Sequence, residues 1–210
     1  MSIFYHEQLH RSGEVLRRVR EQLVTVCGAG ALGANIAESL ARSGFARLRV
    51  IDRDRVEERN LSTQPFYRSD IGAQKARILS NSLYRALGVS VETRAEELKK
   101  SNARKLLDGL VVDAFDNSVS REAVKAACME MKLDCLHVGL ADAYAEVVWN
   151  DIYRVPSAAQ DDICDYPLAR NLVTLAVSVA CEAITRYVAD DTRHSFTITL
   201  DDFAIRRFKL

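Results

Sequence analysis

One glycine-rich turn restricts the fold of this chain more than any other feature. Residues 23–27 read LVTVC, an apolar run of strand length, and residues 28–33 read GAGALG. Residues 34–43 then have the spacing of a helix, and the alternating segment ARLRVID ends at Asp52. This order of strand, turn, helix, strand and acid predicts a nucleotide-binding fold in which the turn faces the phosphates.

Each glycine of the turn has a separate physical task. Gly28 permits the tight turn, Gly30 lets the backbone come close to a phosphate, and Gly33 lets the helix pack against the strand. The helix that follows offers free N–H groups to an anion at its first turn. Asp52 lies where a carboxylate accepts hydrogen bonds from ribose hydroxyls. The three glycines and Asp52 are therefore predicted to bind a nucleotide.

The remaining sequence continues to alternate between helical and strand-like segments. Helices are predicted at residues 14–22, 34–43, 73–87, 102–107, 120–131 and 167–188. Strands are predicted at residues 23–27, 46–52, 89–95, 110–114, 135–138 and 144–155, with two short strands within residues 196–210. The pattern predicts the α/β class, with a doubly wound, Rossmann-like and mostly parallel sheet and antiparallel strands added at its C-terminal end. We expect one domain over residues 1–210, with residues 1–22 as an N-terminal helical arm.

Composition argues against several classes of partner. Lys and Arg number 29, as do Asp and Glu, so the formal net charge is zero and nothing favours a nucleic acid or an anionic membrane surface. The first residues lack the apolar core of a signal peptide and no apolar run approaches the length of a membrane span, which together predict a cytoplasmic protein with no membrane partner. The five cysteines are scattered without a CxxC pair, so no zinc site is expected.

Polar residues after the second strand distinguish between two kinds of nucleotide. The glycine turn alone favours NAD, but the segment that begins at Asp54 also holds Asn60, Gln64 and Lys75. The phosphates of ATP need a point positive charge such as lysine together with amide donors, whereas a dehydrogenase needs neither there. Asp116 follows the buried strand LVVDA, at the sheet edge where such folds bind ligands, and can hold Mg²⁺. We therefore predict ATP and Mg²⁺ as ligands, with Asp54, Gln64 and Lys75 in the nucleotide site and Asp116 at the metal.

Five motifs in this order carry a resemblance to a known family. GAGALG, IDRD, NLSTQ, IGAQK and DAFDN resemble the motifs of the ThiF, MoeB and HesA group, adenylyltransferases related to ubiquitin-activating enzymes. The resemblance covers nearly the whole chain and implies a single ThiF-like nucleotide-binding domain. It also implies ATP-Mg-dependent adenylylation of the C-terminal glycine carboxylate of a ubiquitin-like or sulfur-carrier protein, with release of pyrophosphate, by a homodimer.

The resemblance implies a role for each matching residue. The three glycines would shape the nucleotide loop, and Asp52 would hold the ribose. Asn60 would face the phosphates, Lys75 would neutralise the transferring phosphate and Asp116 would bind Mg²⁺. These roles suit in-line attack of a carboxylate on the α-phosphate, where charge stabilisation supplies most of the acceleration and no general base is needed.

Two positions depart from the family's pattern. Thr63 stands where the family commonly has the arginine of NLxRQ, and Glu7 stands where an N-terminal segment commonly has another. Four nearby arginines are candidate replacements: Arg11, Arg55, Arg59 and Arg68. Arg11 is the first choice because, in a two-fold dimer, the N-terminal segment of one subunit is expected to approach the ATP of the other. The alternatives are a catalytically weakened subunit that binds nucleotide or carrier without activating it and, less favoured, an NAD-linked oxidoreductase.

Two further side chains are left with two interpretations each. Cys164 precedes the last helix, where some family members carry a cysteine that forms a thioester or persulfide with the carrier, but a cysteine is equally often a small buried side chain. His137 ends a strand on the carboxyl side, where it either touches substrate or is a satisfied structural residue. Cys27, Cys181 and Trp149 are predicted to pack in the core.

Overall fold

The protein is built around one eight-stranded sheet. The computed structural model describes residues 2–157 and 168–208. The strands are β1 (Leu23–Cys27), β2 (Arg47–Ile51), β3 (Val91–Arg94), β4 (Leu110–Asp113), β5 (Cys135–Ala141), β6 (Tyr144–Trp149), β7 (Phe196–Thr199) and β8 (Ala204–Arg207). They are hydrogen-bonded in the order β3-β2-β1-β4-β5-β6-β7-β8. The fold class predicted from the sequence is confirmed.

The strands β1 to β5 run parallel, so their carboxyl ends meet at one edge of the sheet. Cys27 at the end of β1 lies opposite Ile51 of β2 and Asp113 of β4. The glycine turn, Asp52 and residues 114–117 therefore leave the sheet side by side. The chain order also reverses between β1 and β4, and such a reversal is where open α/β sheets bind their ligands.

The other end of the sheet is antiparallel, as predicted. β6 pairs with β5, β7 with β6 and β8 with β7, all in antiparallel register. At this end of the sheet, β5 extends three residues beyond its predicted end, to Ala141, and β6 ends at Trp149 instead of continuing to residue 155. After Trp149 the chain turns back, because the amides of Ile152 and Tyr153 both donate to the Trp149 carbonyl.

Helices cover both faces of the sheet. They are α1 (Tyr5–His10), α2 (Gly13–Glu21), α3 (Ala31–Arg42), α4 (Lys75–Leu87), α5 (Ala103–Leu106), α6 (Ser118–Met131) and α7 (Arg170–Asp190). On one face, α3 and α7 pack against each other and over the buried side chains of Val24 and Val26. On the other face, α5 and α6 pack over Cys27 and Val111. Alternate residues of the central strands thus enter two separate apolar layers.

Helix α7 corrects the expectation that no apolar run reaches membrane-spanning length. Its 21 residues include a window of mean hydropathy 1.5, which by length and composition alone is enough to cross a membrane. Half of that window is buried inside the protein, and the helix contacts α3, β5 and β6. These contacts account for its apolar composition, so α7 is a core helix. Its predicted start at Pro167 lies outside the described residues.

The close approach of α3 to the turn before it gives a prediction for stability. A Cβ at Gly33 would lie 2.0 Å from the carbonyl oxygen of Gly28. Alanine normally stabilises a helix interior relative to glycine by up to about 1 kcal/mol, but here the backbone would have to move. We expect Gly33→Ala to lower the free energy of unfolding by about 3 kcal/mol, measured by urea denaturation.

The matched control for this variant is Gly30→Ala. A Cβ at Gly30 would meet nothing within 4 Å, so this change at the start of α3 should cost no more than about 1 kcal/mol. Equal stability of the two variants would contradict the packing role of Gly33.

Candidate functional site

The glycine turn forms an open cradle at the start of α3. Gly28 has φ +97°, and a Cβ there would lie 3.0 Å from the carbonyl oxygen of Ala114, so the turn passes close to the end of β4. Gly30 precedes α3, and no side chain caps the helix. The first N–H groups of α3 therefore lack intrahelical partners and point toward the sheet edge, which is the arrangement that binds anions.

Asp52 fixes the shape of this cradle. Its side chain is buried, with Oδ2 accepting from the Ala29 amide at 2.6 Å and Oδ1 accepting from the Asp54 amide at 2.6 Å. Burial raises the pKa of the Asp52 carboxyl, while the two amide hydrogen bonds and the Lys75 charge oppose the rise. Each carboxylate oxygen keeps a further lone pair, so the ribose role predicted for Asp52 is compatible with these bonds.

Lys75 places a positive charge beside Asp52. It is the first residue of α4, and its amide donates to the Asp54 carbonyl at 3.0 Å. The side chain is 8% exposed, and its ammonium makes no hydrogen bond or ion pair with any described residue. A cation at the first position of a helix is repelled by the positive end of the helix dipole. Among the described residues the ammonium feels the charge of Asp52 but forms no hydrogen bond or ion pair, so its N–H groups are available to an anion.

Gln64 and Asn60 lie on the segment that follows β2. Gln64 is buried, and among the described residues its Oε1 has no hydrogen-bond partner, so its predicted contact with the nucleotide stays a prediction. The Oδ1 of Asn60 accepts from the Glu57 amide at 2.9 Å and thereby caps the short 3₁₀ helix Glu58–Ser62. The cap leaves the Asn60 Nδ2 as a donor, and its predicted contact with phosphate stays a prediction.

Asp116 is the exposed carboxylate of the β4 turn. It lies three residues after β4, and Asn117 Nδ2 donates to its Oδ1 at 3.4 Å. Within residues 2–157 and 168–208, no group of three or more His, Cys, Asp or Glu side chains converges on a common metal position. Mg²⁺ at nucleotide sites is bound by one or two carboxylates, phosphates and water, so a single aspartate fits this ion. Asp54 is also exposed, with its Oδ1 3.7 Å from Arg53 Nε.

Beneath Asp116 lies a buried polar network that the sequence analysis did not predict. The carboxylate of Asp113 accepts from His137 Nδ1 at 2.8 Å and lies 3.7 Å from Arg121 Nη1. His137 Nε2 lies 3.0 Å from Asn150 Oδ1, and the imidazole stacks on Tyr153 at 3.7 Å. His137 is fully buried and hydrogen-bonded on both nitrogens, so the structural interpretation of this residue is confirmed. An acid inside the apolar run LVVDA was the signal that could have revealed the network.

The charge of Asp113 is stabilised by its neighbours. Burial raises the pKa of the carboxyl, but the Arg121 charge and the His137 hydrogen bond outweigh burial and hold the pKa below its ordinary value. The Asp113 Oδ1 also accepts from the Phe115 amide at 3.2 Å. The network thereby fixes the backbone one residue before Asp116.

The remaining candidates lie in different surroundings. Cys27 and Cys181 are buried, as predicted, and Trp149 is 3% exposed. Cys164 lies outside the described residues. Arg11 pairs with Glu7 at 3.0 Å and with Glu182 of α7 at 2.7 Å, so two carboxylates of its own chain already bind the guanidinium. Its role at a partner's nucleotide stays a prediction.

Comparison with known proteins assigns the family. The sequence profile of the ThiF family matches residues 5–196. The chain belongs to the ThiF family. This assignment confirms the resemblance carried by the five motifs.

Several relatives carry names that describe their activity. The sulfur carrier protein adenylyltransferase of Thermus thermophilus is 36% identical over 133 residues, which cover 60% of this chain and 49% of that protein. The SAMP-activating enzyme E1 of Haloferax volcanii is 35% identical and covers 57% of this chain and 46% of that protein. The tRNA threonylcarbamoyladenosine dehydratase 1 of Saccharomyces cerevisiae is 29% identical, covering 63% and 34%. The chain thus spans half or less of the length of these three relatives.

Solved structures share the fold at low sequence identity. MccB of E. coli superposes with a TM-score of 0.83 at 16% identity, covering 97% of this chain and 68% of MccB. MccB with ATP gives a TM-score of 0.79 at 17% identity, covering 93% and 66%. At this identity the similarity establishes the fold alone.

The buried network gives a prediction for stability and its pH dependence. Asp113→Asn leaves the buried Arg121 charge uncompensated, so we expect the free energy of unfolding at pH 7 to fall by about 3 kcal/mol. Because the folded pKa of Asp113 is lowered, its charge contributes stability above the unfolded pKa of about 3.9, and this contribution is lost as the pH falls through the folded pKa.

Urea denaturation of both proteins between pH 7 and pH 3 measures this difference. The gap between wild type and Asp113→Asn should narrow below about pH 4. Asp201→Asn, in the exposed turn between β7 and β8, is the control and should change stability by less than about 0.5 kcal/mol. A gap that does not vary with pH would contradict the ion-pair interpretation.

Proposed function

We propose that this protein uses ATP and Mg²⁺ to adenylylate the C-terminal glycine carboxylate of a ubiquitin-like or sulfur-carrier protein. The observation that carries the proposal is the convergence of four features at one sheet edge: the open start of α3, Asp52, the unpaired ammonium of Lys75 and the exposed carboxylate of Asp116. Relatives named as adenylyltransferases of sulfur carriers support the same activity.

The charges at this edge favour a triphosphate over a dinucleotide. Lys75 offers a compact cation, and the space beside Gly30 lets phosphate oxygens reach the N–H groups of α3. Asp116 is the residue that would hold Mg²⁺, which neutralises phosphate charge when bound. The unpartnered Gln64 Oε1 would accept a hydrogen bond from the nucleoside.

In the proposed reaction, the chain's own residues orient the reactants and stabilise charge. An oxygen of the carrier's carboxylate attacks the α-phosphorus, the bond from that phosphorus to the bridging oxygen breaks, and pyrophosphate leaves with the electron pair. Lys75 stabilises the charge that develops on the phosphate oxygens. Asp52 holds the glycine turn through the Ala29 amide and would bind the ribose beside it. The attacking carboxylate is already ionised, so no base has to remove a proton.

The identity of the carrier and the assembly state belong to the same proposal. A C-terminal glycine suits attack on the α-phosphorus, because it has no side chain to clash with the glycine turn. We propose a homodimer on the basis of the family resemblance, with Arg11 of each subunit as the candidate cation for its partner's site.

The first test of this function removes the two charges aimed at phosphate and metal. Lys75→Ala and Asp116→Ala should each lower the rate of ATP–pyrophosphate exchange by at least about 100-fold, because each removes charge stabilisation in the transition state. Exchange is measured with candidate carriers that end in glycine. Neither variant should unfold, because neither side chain ion-pairs with another described residue.

The matched controls are Arg77→Ala and Asp201→Ala. Arg77 is exposed two residues after Lys75 on α4, and Asp201 is exposed in the β7–β8 turn. Both should keep wild-type exchange rates. Wild-type exchange in either Lys75→Ala or Asp116→Ala would remove the proposed site, whereas ATP binding without exchange for any carrier would favour the nucleotide-binding subunit.

A second test separates ATP from NAD. A ligand that binds only the folded protein stabilises it by mass action, by about 2.7 kcal/mol when its concentration is 100 times Kd. We therefore expect ATP with Mg²⁺ to raise the melting temperature and NAD to leave it unchanged, in thermal unfolding followed by circular dichroism. Stabilisation by NAD alone would favour the oxidoreductase.

A further inference from the structure

A cation outside the predicted set lies beside the nucleotide site. Arg170 is the first residue of α7, and its Nη1 donates to the carbonyl oxygen of Ser62 at 3.2 Å. The next carbonyl, that of Thr63, accepts from Asn35 Nδ2 at 2.8 Å, and the same Nδ2 donates to the Ala31 carbonyl at 2.6 Å. The guanidinium is thus connected to the first turn of α3, where the anion cradle lies, through the backbone of Ser62 and Thr63 and the side chain of Asn35.

The charge of Arg170 has no counterion in the described part of the chain. The side chain is exposed and forms no ion pair there. Two arginines that the sequence suggested as phosphate ligands are already paired: Arg11 with Glu7 and Glu182, and Arg59 with Glu57.

The position of Arg170 at the start of α7 does not favour its positive charge either. The positive end of the helix dipole of α7 repels a cation at the first position. Lys75 has the same unfavourable position at the start of α4. The two residues begin two different helices, and both contact the segment that leaves β2. The backbone amide of Lys75 donates to the Asp54 carbonyl, and the side chain of Arg170 donates to the Ser62 carbonyl.

We propose that Arg170 binds the β- and γ-phosphates of ATP and supplies the positive charge that is absent at Thr63. Asp52 contacts the turn through Ala29, before α3 begins. Arg170 contacts the Ser62 carbonyl, and the carbonyl of the next residue, Thr63, accepts from Asn35, one turn into α3. With the ribose at Asp52, the phosphate chain extends over the start of α3 toward Arg170. The inference rests on the proposed function for its ligand.

The geometry suits the leaving pyrophosphate. The hydrogen bond from Nη1 to Ser62 orients the guanidinium and leaves the remaining N–H groups of the planar fork to donate to two phosphate oxygens. When the bond between the α-phosphorus and the bridging oxygen breaks, negative charge moves onto the pyrophosphate. A cation at the β- and γ-phosphates stabilises that charge, whereas Lys75 acts beside the α-phosphate.

The test compares nucleotides that differ only in phosphate number. Arg170→Ala should raise the Kd for ATP by at least about tenfold, because each of the two charge-assisted hydrogen bonds to phosphate contributes to affinity. It should leave the Kd for AMP within about twofold of wild type. Isothermal titration calorimetry with ATP, ADP and AMP measures this selectivity. Arg170→Lys should recover part of the ATP affinity, because it keeps the charge and loses the fork.

Controls separate a phosphate contact from a structural effect. Arg85→Ala removes an exposed arginine from the last turn of α4 and should bind all three nucleotides as wild type does. The melting temperature of Arg170→Ala without ligand should stay within about 2 °C of wild type. Equal loss of ATP and AMP affinity, or no loss of either, would overturn the role of Arg170.

Failure of the inference is distinguishable from failure of the proposed function. If Lys75→Ala abolishes exchange while Arg170→Ala keeps wild-type ATP affinity, the function stands and the role of Arg170 is wrong. If wild type binds ATP in an Arg170-dependent way but supports no exchange, the phosphate contact stands and carrier adenylylation is wrong. Absence of ATP binding by wild type would overturn both.

Discussion

The hydrogen bonds of one buried carboxylate join the two turns on which the rest of the site depends. Asp52 accepts from the Ala29 amide of the β1 turn and from the Asp54 amide of the β2 turn. A buried carboxylate is costly unless its oxygens are satisfied, and these two bonds supply partners while they set the distance between the turns. The direction in which α3 begins, and the position of Lys75 beyond Asp54, both follow from this connection.

A second buried carboxylate acts in the same way on the opposite side of β1. Asp113 accepts hydrogen bonds from the Phe115 amide and from His137, and it lies beside Arg121. These contacts stabilise the turn after β4, which carries Asp116. The mobility of a metal-binding carboxylate depends on the backbone that carries it. The network therefore links a core ion pair to the geometry of the exposed Asp116, the proposed metal ligand.

Three helices and two cations begin at or near the carboxyl edge of the sheet. Helices α3 and α4 both begin there, Lys75 is the first residue of α4, and α7 begins with Arg170 near the same segment. Asp116 is exposed at the mouth of this positive region. This pattern supports the proposed ligand, a polyphosphate with a divalent cation, because the cation needs a carboxylate and the phosphates need the helix ends.

The local sequence alone determined the fold class, the glycine turn and the residues that leave the sheet at its carboxyl edge. Strand and helix periodicity are short-range properties, and the acid that ends β2 and the lysine after it follow from position along the chain. Tertiary structure decided which charged and polar side chains form ion pairs and hydrogen bonds with each other. Asp113, His137 and Arg121 come from β4, β5 and α6, and only packing brings them together. Likewise Arg170 is 108 residues from Ser62, so no local pattern could show that its guanidinium contacts the segment that follows β2. Arg11 lies near the expected position in sequence, and only the fold shows that it pairs with Glu182 of the distant helix α7.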